Sequence, residues 1–344
     1  MPGAAPSGVV KIALLVNEVD GTNTWQFIEG AVAEGRSMGF VVDAFAMSAD
    51  ADRKGFARVA EGIAGADYAG LIFVNGEVGF SYDVLRPVAD SGMRIVTFEA
   101  LPFRDGRAIE GLVAAFQDDY SLARLSLETL VAHHSGGGPP RVLRLAARHG
   151  TTSLDRHDWE FDDFARQGRI VEAGRAVLRD LSSPRAAAWE ATAALLESFP
   201  PGSADAFWAP WSELAIGAAE AIAAAGRGDL ALFSTGVSNE SLRLMHRHRG
   251  IWLASAAADH RLAGTVTMRM LAALLAGEEI ESPFLFSPRL VMTRDLNRAV
   301  NVANLSMMLP GWDGDAGLFD GFQWMGELKA AEGRFLRLSP EGAR

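Results

Sequence analysis

Short apolar runs alternate with helix-like segments along most of the chain. The run VVKIALLV at residues 9–16 is almost entirely apolar, and apolar residues recur at helical spacing in the segment 24–39 that follows it. The same order recurs at residues 40–47 and 51–65, and a further apolar run, GLIFV, follows at 70–74. Strands that are buried on both faces are continuously apolar, and helical crossovers between them make a sheet parallel. The pattern therefore predicts an α/β fold built on a doubly wound parallel sheet.

A second series of the same kind follows the Gly/Pro-rich stretch SGGGPP at residues 135–140. It runs from RVLRLAA at 141–147 to the helix-like segment HRLAGTVTMRMLAALLAG at 260–277. A chain of 344 residues is long for one hydrophobic core. We therefore expect two Rossmann-like α/β lobes in tandem. Their boundary is predicted near residues 116–119, just before the first helix of the second lobe.

The tail from about Asn297 departs from this rhythm. Its stretch LPGWDGDAGLFDGFQW is rich in glycine, aspartate and aromatic residues, and we expect an irregular segment packed across the surface. Asp313, Asp315 and Asp320 are oxygen donors, but the glycine and glutamate spacing of a 12-residue calcium loop is absent. The sequence therefore predicts no metal site in the tail.

Charge and composition exclude several classes of function. The net charge is −11, whereas a nucleic-acid surface needs clustered Lys and Arg. With no cysteine in the chain, disulfides, thiolate catalysis and cysteine metal sites are ruled out. No apolar run is long enough to span a membrane. The start, MPGAAPSGVV, lacks the features of a signal peptide, which fits either a mature exported chain with an added Met or a cytoplasmic start.

Catalytic motifs are missing as well. The chain has no G-x-S-x-G elbow, no G-x-x-x-x-G-K-[ST] phosphate loop and no G-x-G-x-x-G after its first strand. His149, His157 and His260 could meet Asp155 around a metal, but their spacing matches no metal signature. We expect a protein that is not an enzyme and that needs no cofactor or metal.

Polar and aromatic side chains follow nearly every predicted strand. In open α/β sheets, ligands bind outside the carboxyl ends of the strands. A sugar or polyol suits this mixture, because amides, carboxylates and hydroxyls satisfy its hydroxyl groups and aromatic rings cover its C–H faces. Asn75, Gln117 and Asp119 share these positions. The predicted ligand-binding residues are Asn17, Asp20, Asn23, Trp25, Glu77, Glu99, Asp118, Asp155, Arg156, His157, Trp211, Thr235, Asn239 and His260.

Several residues near these positions have structural explanations. Ser153 and Ser238 are favoured as helix N-caps, and Asp155 suits a first helical turn through the helix dipole. Trp208 lies within a predicted strand, where core and ligand contact are equally plausible. Trp25 and Trp211 fall in polar loops, where contact with a ligand or between the lobes is favoured over core packing.

Three stretches resemble type I periplasmic binding proteins, the ribose- and galactose-binding class that serves ABC transporters. KIALLVNEVDGTNTWQFIEGAVAEGRSMGF resembles the opening strand, ligand loop and first helix of that class. PWSELAIGAAEAIAAAGRGDLALFSTG and AAADHRLAGTVTMRMLAALLAGEEI resemble its two later signatures, so the resemblance covers nearly the whole chain. A subgroup with PFW in the first loop and a longer tail is also similar, with Trp25 on its tryptophan and TRDLNRAVNVANL in the tail.

The chain departs from the pattern of this class at several ligand positions. Trp211 and Ser212 stand for its Asn-Asp pair, and Thr235 stands for the Asp of its GfDg motif. Glu99–Ala100 replaces the sugar-binding Asp-Arg. The Arg that usually follows the GTSxxR motif of this class falls among residues 155–157 here. Ala258 replaces the Gln that this class has at the third crossing between the lobes. A polyol, a modified sugar or another small polar molecule is therefore favoured over a common hexose or ribose.

The resemblance implies a domain plan and a function. It implies three crossings between the lobes, near residues 116–117, 257–259 and 286–289. The N-terminal lobe would comprise residues 9–116 and 259–287, and the C-terminal lobe residues 117–258 and 288–344, including the tail. A monomeric periplasmic protein would capture a small polar ligand between the lobes by hinge closure and deliver it to an ABC transporter.

Other functions share this fold. A sensory binding protein would signal to a membrane receptor or histidine kinase through the same closure. A regulator of the lactose-repressor class would carry a helix-turn-helix ahead of the first strand, where this sequence has eight residues before Val9. Turnover of a bound sugar would favour an enzyme, and a cytoplasmic location is the alternative to the periplasm.

Overall fold

Strands and helices alternate along the chain. A computed structural model describes residues 9–17, 22–47, 53–76, 78–147 and 152–338. The strands are β1 (Lys11–Val16), β2 (Val41–Ala46), β3 (Gly70–Val74), β4 (Arg94–Phe98), β5 (Phe103–Arg104), β6 (Arg107–Ala108), β7 (Val113–Gln117), β8 (Arg141–Ala147), β9 (Val171–Leu178), β10 (Ala206–Ala209), β11 (Ala231–Thr235), β12 (Trp252–Ala257), β13 (Phe284–Phe286) and β14 (Arg289–Met292). The α-helices are α1 (Thr22–Ser37), α2 (Arg53–Ala64), α3 (Val78–Asp90), α4 (Asp119–His133), α5 (Thr152–Arg166), α6 (Pro184–Ser198), α7 (Ser212–Ala224), α8 (Asn239–Arg247), α9 (His260–Leu275) and α10 (Gln323–Leu338). Short 3-10 helices occupy Thr293–Asp295 and Val302–Met307. None of the helices within the described residues is long and apolar enough to cross a membrane.

The chain divides into two compact units. The first contains the residues up to Gln117, His260–Phe286 and the residues from Gly314 onward. The second contains Asp118–Asp259 and Ser287–Asp313. Each unit is built on its own largely parallel sheet with helical crossovers, so the predicted α/β class with two parallel-sheet lobes is confirmed.

The sheet of the first unit is parallel throughout, in the order β13-β7-β4-β3-β1-β2. β1 is continuously apolar because it is covered on both faces. Ile12 and Leu14 belong to the core cluster that also contains residues of α1 and α9. Ala13 and Leu15 point the other way, into the cluster that contains residues of α2 and α3. β2 lies at the edge of the sheet and is mostly exposed.

Two glycines let α1 and α9 pack with their backbones nearly touching. A Cβ atom on Gly30 would lie 1.9 Å from the carbonyl oxygen of Arg261, and one on Gly264 would lie 2.0 Å from that of Phe27. Glycine is the only residue that permits this approach without a shift of the backbone. The helix pair therefore forms a rigid cover over one face of the first sheet.

The sheet of the second unit has the order β14-β12-β11-β10-β8-β9, with β14 antiparallel to β12. Leu143 and Leu145 of β8 enter its main core, and Val142 faces the other side. Arg144 interrupts this apolar strand and is buried. Its guanidinium lies 4.2 Å from the ring centroid of Phe161 and donates to Asp162 Oδ1 at 2.7 Å. The buried cation is thus compensated by a ring and by carboxylates.

The later part of the tail packs on the first unit, which corrects its expected place in the second lobe. Trp324 and Met325 are buried in the core cluster that contains α1 and α9. The buried Arg269 of α9 donates from Nη1 to the carbonyl oxygen of Ala316 at 2.6 Å and from Nε to Glu34 Oε1 at 2.6 Å. The earlier part of the tail stays in the second core through Leu305 and Trp312.

We expect Trp324→Ala to destabilise the first unit by about 3 kcal/mol, since it empties a large buried site. The value lies at the low end for tryptophan, because the indole N–H has no hydrogen-bond partner in the described part of the chain, so no hydrogen bond to that part is lost on removal. Amide hydrogen exchange of β1, β3 and β4 measures the effect within that unit. Met307→Ala is the control, since Met307 is 86% exposed and its truncation should change stability by less than about 0.5 kcal/mol. Equal exchange rates in wild type and Trp324→Ala would contradict the role given to the tail.

Candidate functional site

Backbone hydrogen bonds hold the carboxyl ends of β1, β3 and β4 together in the first unit. The N–H of Asn17 donates to Val74 O at 3.0 Å, and Asn75 Nδ2 donates to Asn17 O at 3.3 Å. The N–H of Asn75 also donates to Phe98 O at 3.0 Å. The predicted residue Asn17 therefore lies beside Asn75, and both belong to one rigid edge of the sheet.

Asn75 and Glu99 both adopt the left-handed backbone conformation, with φ of 57° and 54°. Residues other than glycine seldom do so, and such conformations concentrate at ligand-binding and active sites. Glu99 Oε1 accepts a hydrogen bond from the N–H of Gln117 at 2.6 Å. The carboxylate of Glu99 thus ties the end of β4 to the end of β7, and its half-buried side chain stays at the sheet edge.

The first turn of α1 carries an aromatic ring and an unsatisfied amide. Trp25 is 52% exposed. Asn23 Oδ1 is buried, and within the described residues it has no hydrogen-bond donor. An unpaired buried acceptor costs about 1–3 kcal/mol, so a donor supplied by water or by a ligand would stabilise this position. The loop before the helix contains Asp20, which lies outside the described residues, as does Glu77.

His260 begins α9 and packs against the first sheet. Its ring lies edge-on to Phe98, with the ring centroids 6.2 Å apart. The residue is half-buried, so part of the imidazole remains accessible at the strand ends of the first unit. Its predicted ligand contact stays a prediction.

In the second unit, Asp118 is the N-cap of α4. Its carboxylate accepts from the N–H of Ser121 at 3.0 Å and from Ser121 Oγ at 2.5 Å. Capping alone explains the preference for aspartate here. The expected ligand contact of Asp118 stays a prediction, beside this role as a helix cap.

The next residue, Asp119, is the centre of a buried polar cluster. It is 1% exposed. Its Oδ1 accepts from Ser153 Oγ at 2.5 Å, and its Oδ2 accepts from Arg156 Nη1 at 3.0 Å. Ser153 was expected to cap α5, but the helix begins at Thr152 and the Ser153 hydroxyl is turned to Asp119 instead. Asp119 was not singled out from the other strand-end residues in the sequence.

His157 completes this cluster. The carbonyl oxygen of Pro210 lies 2.9 Å from Nδ1, so Nδ1 carries the proton and donates. Nε2 lies 3.6 Å from Asp119 Oδ1 and has no hydrogen-bond partner among the residues that the structure describes. Burial lowers the pKa of His157 below its ordinary value, while the nearby Asp119 carboxylate raises it by a smaller amount. His157 is therefore neutral near pH 7.

The remaining predicted residues of the second unit occupy different surroundings. Thr235 ends β11 beside His157, with Oγ1 3.5 Å from Nδ1. Trp211 precedes α7 and packs against the main core of this unit. Asn239 Oδ1 accepts from the N–H of Val302 at 2.8 Å, which gives this side chain a role in holding the tail. Asp155 lies half-buried in the first turn of α5, where the helix dipole favours a carboxylate.

Each unit thus gathers polar side chains at the carboxyl ends of its own strands. In the first unit these include Asn17, Asn75 and Glu99, and in the second they include Arg156 and His157. The described residues hold no group of three or more side chains that could ligate a metal ion. Fold and strand-end chemistry define an α/β ligand-binding protein.

Comparison with known proteins places the chain more closely. A family model described as a periplasmic binding protein domain matches residues 12–279, which is most of the chain. The chain belongs to the periplasmic binding protein family, and the resemblance seen in its sequence motifs is confirmed. No curated protein matches the sequence.

Solved structures agree with this assignment. A sugar ABC transporter protein from Yersinia enterocolitica subsp. enterocolitica 8081 is 28% identical, with a TM-score of 0.80 over 95% of this chain and 96% of that one. A 5-methylthioribose transporter solute-binding protein from Thermotoga lettingae TMO is 23% identical, with a TM-score of 0.79 over 94% and 99%. An ABC transporter solute-binding protein from Agrobacterium vitis with bound allitol is 18% identical, with a TM-score of 0.69 over 87% and 99%. The last two comparisons show the fold alone.

The buried neutral His157 predicts that the second unit loses stability in acid. Its pKa in the folded protein lies below the ordinary 6.5, so the unfolded chain binds more protons once the pH falls below that value. The free energy of unfolding should then fall by up to about 1.4 kcal/mol per pH unit for this group. We expect His157→Gln, which can still donate to Pro210 O, to show a shallower loss between pH 7 and pH 5 in denaturant unfolding.

His248→Gln is the matched control. The pKa of His248 is also lowered, first by burial and then by Arg247, but this residue is more accessible than His157. Its replacement should change the pH dependence less. If His157→Gln kept the full acid sensitivity of the wild type, His157 would not be buried in its neutral form.

Proposed function

We propose that the protein captures a small polar ligand of the sugar, polyol or sugar-derivative class and delivers it to an ABC transporter. The observation that carries this proposal is the first turn of α1. There, the half-exposed ring of Trp25 lies two residues from the buried oxygen of Asn23, which has no donor within the described residues. A ring for a C–H face beside an acceptor for a hydroxyl is what a polyol requires.

The other strand-end groups suit the same ligand class. Asn17 and Glu99 in the first unit and Arg156 and Thr235 in the second offer amide, carboxylate, guanidinium and hydroxyl groups. A hydroxyl group both donates and accepts, so it can pair with any of them. Two of these groups are held by hydrogen bonds, Glu99 by the N–H of Gln117 and Arg156 by Asp119. Binding groups that are fixed in advance lose little entropy when a ligand arrives.

The residues at the expected ligand positions support a sugar derivative or polyol over a common hexose. The chain carries Glu99–Ala100 and Trp211–Ser212 where a sugar-binding Asp-Arg and an Asn-Asp pair are expected from the resemblance. These replacements favour a ligand with fewer charged contacts than ribose or galactose would receive. Ligands of this kind are held by two similar proteins, since the Thermotoga lettingae protein was solved with 5-methylthioribose and the Agrobacterium vitis protein with allitol.

Membership of the family supports a proposed partner and location. A transporter permease would accept the ligand from the bound protein, which would act as a monomer in the periplasm. The net charge of −11 disfavours a nucleic-acid partner. No catalytic role is proposed for any of the strand-end residues.

Ligand-stripped, refolded protein should be tested by thermal shift against 5-methylthioribose, allitol, D-arabinose, ribose, galactose, amino acids and small carboxylates. A ligand at 100 times its Kd stabilises the folded state by about 2.7 kcal/mol, which shifts Tm by a few degrees in a chain of this size. We expect a shift with a sugar derivative or polyol. Shifts with amino acids alone would overturn the ligand class.

For the ligand so identified, Trp25→Ala should raise the Kd about tenfold, equivalent to about 1.4 kcal/mol. Because Trp25 is half-exposed, Tm without ligand should barely change. Isothermal titration calorimetry measures the Kd. Trp189→Ala is the matched control, since Trp189 is 42% exposed on α6 and should leave the Kd unchanged. Equal effects of the two substitutions would remove Trp25 from the site.

A further inference from the structure

We propose that Asp119 is a positioning residue of the binding site: it holds the guanidinium of Arg156 in place and acts on the ligand through it. This inference rests on the proposed function, in which Arg156 offers its donors to the ligand. Asp119 itself is 1% exposed, at the first residue of α4.

Helical spacing brings three side chains of α5 to this one carboxylate. Arg156 and His157 follow Ser153 by three and four residues, so the three side chains lie on one face of that helix. Ser153 Oγ donates to Oδ1 at 2.5 Å and Arg156 Nη1 donates to Oδ2 at 3.0 Å. The partners come from α5 and the carboxylate from α4, so the contact fixes the start of one helix against the start of the other.

The Arg156 side chain is held by Asp119 and is partly exposed. Its side chain is 26% exposed, whereas the Asp119 side chain is 0% exposed. An arginine has five N–H donors in a planar fork, and a carboxylate fixes the plane of that fork. Asp119 therefore sets the direction in which the accessible part of Arg156 presents its donors.

The contact of Asp119 with His157 is of a different kind. Pro210 O fixes the proton on Nδ1, so Nε2 is an acceptor that faces a second acceptor, Asp119 Oδ1, at 3.6 Å. Two acceptors repel each other unless a donor lies between them. The carboxylate thus keeps the imidazole at a distance, and in the described part of the chain no donor reaches Nε2.

The fold does not depend on Asp119 alone. Arg124 of α4 donates from Nε to Glu160 Oε1 of α5 at 2.7 Å, so a second ion pair joins the same two helices. Asp119→Asn keeps the volume and the first-turn position of the side chain. The variant should therefore fold, and its effect on the cluster can be measured.

A double-mutant cycle tests whether Asp119 acts through Arg156. The Kd of 5-methylthioribose, allitol and D-arabinose is measured by calorimetry for wild type, Asp119→Asn, Arg156→Gln and the double variant. We expect Asp119→Asn to raise the Kd about tenfold in the wild-type background, within the range of coupling between residues in contact. In the Arg156→Gln background it should raise the Kd less than about twofold.

Asp205→Asn is the matched control. Asp205 accepts from Arg141 Nε at 3.0 Å and from Nη2 at 2.8 Å, at the amino ends of β8 and β10 in the same unit. The Asp205→Asn substitution removes a comparable carboxylate partner of an arginine and should leave the Kd unchanged. Equal effects of Asp119→Asn in both backgrounds, or no effect on the Kd in either, would overturn the positioning role.

A spectroscopic measurement keeps the inference independent of the ligand panel. In Asp119→Asn the new amide can donate to His157 Nε2, which moves the nitrogen resonance of Nε2 away from that of a free acceptor. Arg156 loses its anchor, so its Nε–H resonance should show faster side-chain motion. If no probe binds the wild type, the proposed ligand class fails while these two signals still decide the positioning role. Unchanged His157 and Arg156 resonances would overturn it.

Discussion

Parallel strand pairing is the constraint on which both the fold and the candidate site depend. In the first unit, β1 pairs in parallel with β2 and β3, so the three strands end at the same edge. In the second, β8 pairs in parallel with β9 and β10. Every residue that follows a strand is thereby brought to one edge, where polar groups of distant sequence position meet. Asn17 and Asn75 are far apart along the chain, yet Asn75 Nδ2 donates a hydrogen bond to Asn17 O at 3.3 Å.

The same constraint explains why strained and buried polar groups collect there. Asn75 and Glu99 leave their strands with positive φ, and Asp119 is buried at the beginning of a helix. Most buried side chains elsewhere in the sheets are apolar, and a buried charge needs compensation by hydrogen bonds or an opposite charge. Asp119 receives both from Ser153 and Arg156. The first-turn position of α4 adds the favourable end of the helix dipole.

Much of the fold could be predicted from the sequence, because apolar periodicity reports burial directly. The run around Leu14 is apolar since both faces of β1 are covered. Less of the candidate site could be predicted from the sequence. Asp118 and Asp119 are neighbours of the same type, and a shift of one residue at the helix start makes one a cap and the other the centre of a cluster. Only the pairing of α4 with α5 in space distinguishes them, and no periodicity within either helix contains that pairing.

The composition of the tail predicts little about its structure, because its glycines and aromatic residues suit two tasks that require no regular periodicity. Turns expose backbone carbonyls, and Arg269 uses those of Ala316 and Leu318 as acceptors. Aromatic side chains fill the adjoining apolar surface, as Trp324 does when it stacks with Phe322 at a centroid distance of 5.8 Å. Because Arg269 is only 7% exposed, those carbonyls replace the water that its donors would otherwise bind. The helix pair α1–α9 and the irregular tail therefore stabilise each other, and neither pattern alone reveals the contact.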